Sequence, residues 1–540
     1  MKTAESMPEI YTGYREGLSE TILKNHAVAS ANHYATEAGD AILKAGGNAA
    51  DAAVAIQAVL GLTEPQSSGL GGGAYVLYRH NGRIKTIDGR ETAPANVDAH
   101  YCDGDLRNSV RAAGVPGAVA ALGELHRDAG QLSWEECLRP ALHLARHGFV
   151  VSERMGDSLK FFENEIMADP MGRELFNGVR PGVVMRNPHY AKSLEILAKE
   201  GPESFYTGTL AQTVLDRVQQ GPSNLTAEDF KNYKAEVREP ISTTYRGYEI
   251  VSVPLSTSGA STVFSILKIL SNLDVDIASI AEGKAPSATL IHQVSEAYRL
   301  AYADRDAYLN DSDAARARAP QMWDDAYAKT RAASIGDRAM GVAQPGFEKA
   351  TPGPVDEHGT SHFQVVDAQG NAVAVTTSVE AAFGSFAMAG GFFINNQLRD
   401  FSAAGTINEP APGRRPRSSM TPAFVFNPDG SLHAVVGSPG GALIINFVVK
   451  TLLCLLDAQM DPQQAANYPN FGAMNTPITW IGADHPLVKA GKFDEVKAEL
   501  EAMGHQVEYH AIPSGVAVFL MEEDGTIRVG VDPRREGTAM

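Results

Sequence analysis

His358-Gly359-Thr360-Ser361-His362-Phe363-Gln364-Val365-Val366 marks the sharpest change of texture in this chain. Before it, from about Ser312 to Gly359, the residues are rich in Ala, Asp, Gly and Pro with little period, and they read as an exposed linker. After it, His362–Val366 and Ala372–Thr376 read as strands around the turn Gln369-Gly370-Asn371. A threonine that opens a strand, preceded by glycine, has a specific chemical use. If the Gly359–Thr360 bond is cut, the new α-amine lies beside the threonine's own hydroxyl and serves as its general base. The pKa of an α-amine, about 8, is close enough to working pH for that task. Such a residue needs no separate His or Asp. Read alone, Gly-Thr-Ser fits an ordinary loop as well.

The pattern extends outward from there. Phe392–Asn395, Ala423–Phe426 and His433–Val436 read as further strands, with Pro428-Asp429-Gly430 as a turn. Ala442–Leu456 reads as a long helix, and Val507–His510, Val516–Met521 and Ile527–Val531 as closing strands. Upstream, about 25 polar residues suggest an arm across the surface. Two alanine-rich helical runs follow, His33–Ala45 and Ala49–Leu62, with Asn48 or Asp51 placed to cap the second. Ala74–Tyr78 and Arg83–Ile87 flank Asn81-Gly82, a hairpin signal. From about Pro116 to Leu309 the period is mostly helical, with one strand-like insert at Tyr248–Val253. Strands at both ends with helices between them favour an α+β layered fold over alternating βαβ units.

Composition excludes several classes. The chain has 540 residues, 64 acidic against 46 basic, a formal charge of −18, and 44% hydrophobic residues. A chain of this length and apolar content buries a large core, which excludes disorder. The negative surplus argues against a nucleic-acid surface. The three cysteines, Cys102, Cys137 and Cys454, are too few and too scattered for a disulfide framework or a zinc knuckle. Apolar runs such as Ile444–Val449 stop at a charge, far short of the ~18 residues of a membrane span. Glu5, Glu9, Arg15, Glu16 and Glu20 leave no signal-peptide apolar region, so the expected location is the cytoplasm, or the periplasm if a leader has been removed.

Familiar motifs are missing. Gly69-Leu70-Gly71-Gly72-Gly73-Ala74 matches the dinucleotide pattern formally, but it follows a helix and opens a strand, the reverse of the fingerprint. It reads better as a glycine loop packed closely against other backbone. There is no P-loop, HExxH or GxSxG, and the fifteen histidines show no metal-ligand spacing. No cofactor and no metal are expected. Gly437-Ser438-Pro439-Gly440-Gly441 stands at a strand-to-helix turn, where backbone N–H groups converge as in an oxyanion hole, although an ordinary glycine turn reads the same way.

Taken in order, these segments resemble the gamma-glutamyltransferase (glutathione hydrolase) family of N-terminal nucleophile hydrolases. The resemblance runs from about His26 to Glu536. It rests on Gly46-Gly47-Asn48-Ala49-Ala50-Asp51-Ala52, Glu64 to Gly73, Asp88-Gly89-Arg90-Glu91-Thr92-Ala93-Pro94, Ala303-Asp304-Arg305 and Tyr308-Leu309. Thr360, Asn395-Asn396-Gln397-Leu398, Asp400-Phe401-Ser402, Arg417-Ser418-Ser419-Met420, Gly437 to Gly441 and Asp532-Pro533-Arg534-Arg535 complete it. The resemblance implies a four-layer αββα sandwich cut in two, with residues 1–359 as the large subunit and 360–540 as the small catalytic subunit. The pieces would form a heterodimer or a higher oligomer. It implies Gly359–Thr360 as the cleavage site and Thr360 as nucleophile. Ser378 would position the nucleophile, and Gly440 and Gly441 would form the oxyanion hole. Arg90, with Ser418 and Ser419, would hold a substrate α-carboxylate. Asp400, Gln397 and Glu380 would hold the α-ammonium. The implied activity is hydrolysis or transfer of γ-glutamyl amides such as glutathione.

Some positions depart from the family's best-known members. Glu380 stands where many carry Asn, and Arg399 places a cation beside Asp400. Ala442-Leu443 replaces a common Ser-Arg pair, and the segment from Phe401 to Arg417 is short for a lid. Glu380 and Arg399 motivate an alternative, an acylase for glutaryl or similar amides that lack the α-amino group. The plainer expectation for Arg399 is a side chain that points to solvent, since neighbours on a strand face opposite ways.

Overall fold

The computed structural model describes residues 13–347 and 359–540. Two seven-stranded antiparallel sheets form its centre. The first runs Thr21–Lys24, Thr526–Val531, Ala517–Met521, Leu432–Gly437, Ala423–Phe426, Tyr248–Ser252, Ile241–Tyr245. The second runs Thr538–Ala539, Ala27–Ser30, Ser361–Val366, Ala372–Ser378, Gly73–His80, Arg83–Gly89, Glu236–Arg238.

Alternation along the second sheet separates its two faces. Val28, Val76, Phe363, Val365, Val373 and Val375 pack against helices His33–Lys44, Ala49–Thr63 and Ala118–Ala129. Ala27, Ala29, Tyr75, Leu77, Ala372 and Ala374 face the other core, shared with Val435 and Val436 of the first sheet and with helices Gly259–Leu270, Ala288–Tyr308 and Ile444–Leu452. The small alanines on the inner face let the sheets approach closely. Together the layers are helix, sheet, sheet, helix: an αββα sandwich.

Local chemistry sets several boundaries. Asn48 and Asp51 form a reciprocal capping box on Ala49–Thr63. Asn81 and Gly82, with φ of 50° and 78°, close the hairpin between Gly73–His80 and Arg83–Gly89. The expected linker after Ser312 is instead helical at Asp313–Arg318 and Asp325–Ala332, capped by Ser312 and Asp324, with residues 348–358 outside the described part. The expected N-terminal arm contributes an edge strand, Thr21–Lys24, paired with Thr526–Val531. The expected long helix from Ala442 is a 3-10 turn, a helix at Ile444–Leu452 and a π turn at Leu453–Asp457. No helix among the described residues is long and apolar enough to cross a membrane.

Candidate active site

Thr360 stands one residue before the strand Ser361–Val366, between the two sheets, and is 2% exposed. His362, Gln364 and Val366 point to the inner face, and the period of two places Thr360 there as well. Ser378 ends the neighbouring strand, whose register pairs Ser361 with Thr377. Its hydroxyl donates to the carbonyl of Gly359 at 2.6 Å and accepts from the Glu380 N–H at 2.8 Å. Ser378 is thus held on the acyl oxygen of the Gly359–Thr360 bond.

Arg90 follows the strand Arg83–Gly89 and is 1% exposed. It ion-pairs with Asp400, which also accepts from Gln397 Nε2 at 2.7 Å. Arg90 Nε donates to the Pro416 carbonyl at 3.1 Å and Nη2 to the Arg417 carbonyl at 3.2 Å, which places the guanidinium against the chain entering Ser418-Ser419. The sequence-predicted carboxylate and ammonium holders are therefore one buried ion pair. Ser418 Oγ accepts from Met420 N at 3.1 Å, and Ser419 Oγ accepts from Arg305 Nη2 at 2.7 Å. Glu380, 1% exposed, lies 3.4 Å from Arg399 Nη1. The Arg399 side chain therefore turns to Glu380 rather than to solvent, correcting the expectation for it.

Gly440 and Gly441 have φ of 130° and 59°, a backbone that a residue with a Cβ rarely adopts, and they lead into the 3-10 turn before Ile444–Leu452. Their turn reaches Thr360 indirectly. Pro439 packs on Gly515, Gly515 packs on Arg535, and Arg535 Nη1 donates to the Thr360 carbonyl at 2.9 Å. The glycine loop at 69–73 is the close-packing device expected of it. An ideal Cβ on Gly71 would fall 2.1 Å from the Phe393 carbonyl oxygen, and one on Gly72 2.1 Å from that of Ser378.

Two members of the site carried no assigned role in the sequence. Arg535 is one. The other is Glu91, fully buried with no hydrogen-bonding partner on either carboxyl oxygen. Its Oε2 occupies the space beside Gly73 where a Cβ would lie, and Gly73 pairs with Ser378. Burial pushes the Glu91 carboxyl up to about 8 against the pull of Arg90. The readable signal was a second charge beside Arg90 in extended chain. The adjacent Asp88 behaves oppositely: burial raises it, but Arg415 and Arg238 outweigh that and hold it below the usual range.

Among the described residues, two groups bring three ligand atoms within 4.8 Å, Asp51/His126/Cys137 and His292/Glu296/His505. Both are occupied by protein hydrogen bonds. His292 meets Gly336 O and His505, His505 meets Thr479, and Glu296 meets Arg299 and Met340 N. Asp51 accepts from the N–H groups of Asn48, Gln131 and Leu132. They read as buried polar networks.

Two facing sheets between helical layers, with a threonine heading an inner strand, define the N-terminal nucleophile hydrolase class of fold. The cephalosporin acylase from Bacillus halodurans superposes with a TM-score of 0.85 at 25% identity, over 98% of this chain and 97% of its own. The gamma-glutamyltranspeptidase from Pseudomonas nitroreducens complexed with L-DON gives 0.54 at 30% identity, over 62% of this chain and 100% of its own. The glutathione hydrolase proenzyme of Escherichia coli (strain K12) is 34% identical over 98% of this chain and 94% of its own length. A model described as Gamma-glutamyltranspeptidase matches residues 35–540, and this chain belongs to that family.

Proposed function

We propose that this chain cuts itself at Gly359–Thr360 and then hydrolyses or transfers γ-glutamyl amides through an ester on Thr360. The observation that carries this reading is the Ser378 hydroxyl, 2.6 Å from the carbonyl oxygen of Gly359. In self-cutting, Thr360 Oγ attacks the Gly359 carbonyl carbon. The C–O bond forms, the C–N bond breaks, and the threonine nitrogen takes the proton. Ser378 donates to the oxygen as it gains charge. Water then hydrolyses the ester and leaves a free α-amine on Thr360.

In turnover, that amine takes the proton of the Thr360 hydroxyl as it attacks the substrate amide, and passes it to the leaving amine. The Gly440 and Gly441 N–H groups face the oxyanion. A γ-glutamyl head is a zwitterion, which suits the Arg90–Asp400 pair. Its carboxylate joins Arg90 and its ammonium joins Asp400 and Gln397, giving four alternating charges with no net charge buried. Water or an amino acid then takes the acyl group. The E. coli relative's name, a glutathione hydrolase proenzyme, agrees with both stages.

Denaturing gels and intact mass of the purified protein test the reading. Two pieces dividing at residue 360 are expected, while Thr360→Ala gives one piece without activity. Residual turnover of γ-glutamyl-p-nitroanilide by that variant would refute it.

One observation favours a second reading. Arg399 lies 3.4 Å from Glu380 and competes with an ammonium for it, and the B. halodurans cephalosporin acylase superposes over nearly the whole chain. A glutaryl amide lacks the ammonium altogether. A higher kcat/KM for glutaryl-p-nitroanilide than for γ-glutamyl-p-nitroanilide would select the acylase.

A further inference from the structure

Once Thr360 is an N-terminal residue, it loses the upstream peptide that oriented it. On its C-terminal side the strand ladder begins only at Ser361. Its carbonyl remains tied to the fold, held by Arg535 at 2.9 Å. Arg535 is 3% exposed and is anchored in turn, with Nε and Nη2 each 3.4 Å from the Pro513 carbonyl. Asn470 and Asp532 fix the segment around Pro513: Asn470 Nδ2 donates to Ile512 O and Ser514 Oγ, and Ser514 Oγ donates to Asp532 at 2.5 Å.

The same segment touches the glycine turn. Gly515 N donates to Ser438 Oγ at 3.2 Å, and Ser438 Oγ donates to the Pro439 carbonyl at 2.7 Å. An ideal Cβ on Gly515 would fall 2.6 Å from Pro439 Cγ and 2.7 Å from Arg535 Cδ. The distinctive feature is that the Ile512–Val516 segment contacts both the turn bearing Gly440 and Gly441 and the Arg535 side chain that holds the Thr360 carbonyl.

We infer that Arg535, seated on the Ile512–Val516 segment, is a positioning residue that sets the distance between the Thr360 hydroxyl and the Gly440/Gly441 N–H groups. The inference rests on Thr360 being the nucleophile, as proposed above. The planar guanidinium suits the task, because it bonds Thr360 O and Pro513 O at once in a fixed fork, which a lysine ammonium cannot reproduce. Gly515 supplies the close approach that keeps clamp and turn in register.

The test compares wild type, Arg535→Ala, Arg535→Lys and Gly515→Ala, each normalised to folded, cut protein. Misplacement by about 1 Å costs on the order of 100-fold in rate. Arg535→Ala is therefore expected to lower kcat by about that factor while leaving KM nearly unchanged. Guanidinium or methylguanidinium, below denaturing concentration, should restore several-fold of the loss. Arg535→Lys should recover only part of the rate, and Gly515→Ala should lower kcat with the clamp still present. If Arg535→Ala stays uncut, the same ions are added to the uncut protein, and renewed cutting supports the inference. An unchanged kcat, or a loss that guanidinium does not relieve in a protein of unaltered Tm, overturns it. Mass mapping of the trapped acyl group separates the two claims. Acyl on Thr360 with an unaffected Arg535→Ala removes this inference alone, whereas acyl elsewhere removes the reading beneath it.

Discussion

Glu91 keeps a carboxyl in the dry interior with neither oxygen hydrogen-bonded, and burial pushes its pKa up to about 8. In the unfolded chain the same group titrates near 4.3. Between those values the unfolded state releases a proton that the folded state keeps, so stability falls as pH rises. The slope is about 1.4 kcal/mol per pH unit, and the loss is complete above the folded pKa. Glu91→Gln keeps the shape and abolishes the titration. Placed in the uncut Thr360→Ala chain, it should flatten denaturant-measured stability between pH 5 and 8.5, with the variant gaining on its parent toward the alkaline end. Parallel curves would mean that Glu91 is ionised throughout. At this scale the sequence was partly legible. Thr360 stood out only weakly through its own chemistry, a hydroxyl that would gain an amine on cutting, since Gly-Thr-Ser fits an ordinary loop as well, and the family resemblance decided it. Arg90 and Asp400, 310 positions apart, did not, because an ion pair closed by the fold leaves no local spacing. Only the family resemblance singled them out.

Elements whose stability is local were read well, and those whose stability is tertiary were not. The capping box at Asn48 and Asp51 and the Asn81-Gly82 turn are determined by neighbours in sequence, and both appear as expected. The helices at 313–318 and 325–332 have too few apolar positions to show a period, and are held by small contacts such as Ala315, Met322 and Ala328. The edge strand at Thr21–Lys24 exists only because Thr526–Val531 lies beside it. Sheet-on-sheet contact is also invisible from one strand. Gly437 ends its strand against His362 of the other sheet, and an ideal Cβ there would fall 2.0 Å from His362 Cε1. That ring is fixed by Thr376 Oγ1 at 2.9 Å and Gln364 Oε1 at 3.2 Å, and burial lowers its pKa to about 4. Gly437→Ala should therefore push the sheets apart beside Thr360, costing about 1–3 kcal/mol and slowing the cut. His362→Ala opens the space that the new methyl needs. Urea denaturation of both single variants and the double variant should show the double destabilised by less than the sum. Strict additivity would mean that the two residues do not press on each other.

For the molecule as a whole, the proposed cut divides the charge unevenly but with one sign. Residues 360–540 carry 11 basic and 18 acidic side chains, a net of −7, which leaves −11 for residues 1–359. Net charge therefore drives the pieces apart, and only contact can hold them. The sheet order supplies it. In the second sheet, Ala27–Ser30 and Gly73–His80 of the large piece flank Ser361–Val366 and Ala372–Ser378 of the small one. In the first, Thr21–Lys24 and Tyr248–Ser252 of the large piece pair with Thr526–Val531 and Ala423–Phe426 of the small one. Each piece supplies strands that only the other can complete, so neither retains a whole sheet alone. Ion pairs cross the same boundary: Arg90–Asp400 and Arg415–Asp88 are buried, and Arg417 meets the partly buried Asp306. None of this interleaving shows in sequence order, where the partners lie hundreds of residues apart. The cut protein should therefore elute as one species on gel filtration at nanomolar concentration and in 1 M salt, where the Debye length falls to about 3 Å and surface attraction is screened. In urea the pieces should separate in the same transition that removes far-UV circular dichroism, because parting them leaves both sheets with unpaired edges. Separation in salt alone, or separation ahead of the loss of secondary structure, would show that the boundary is a surface contact between two self-sufficient units rather than a shared core.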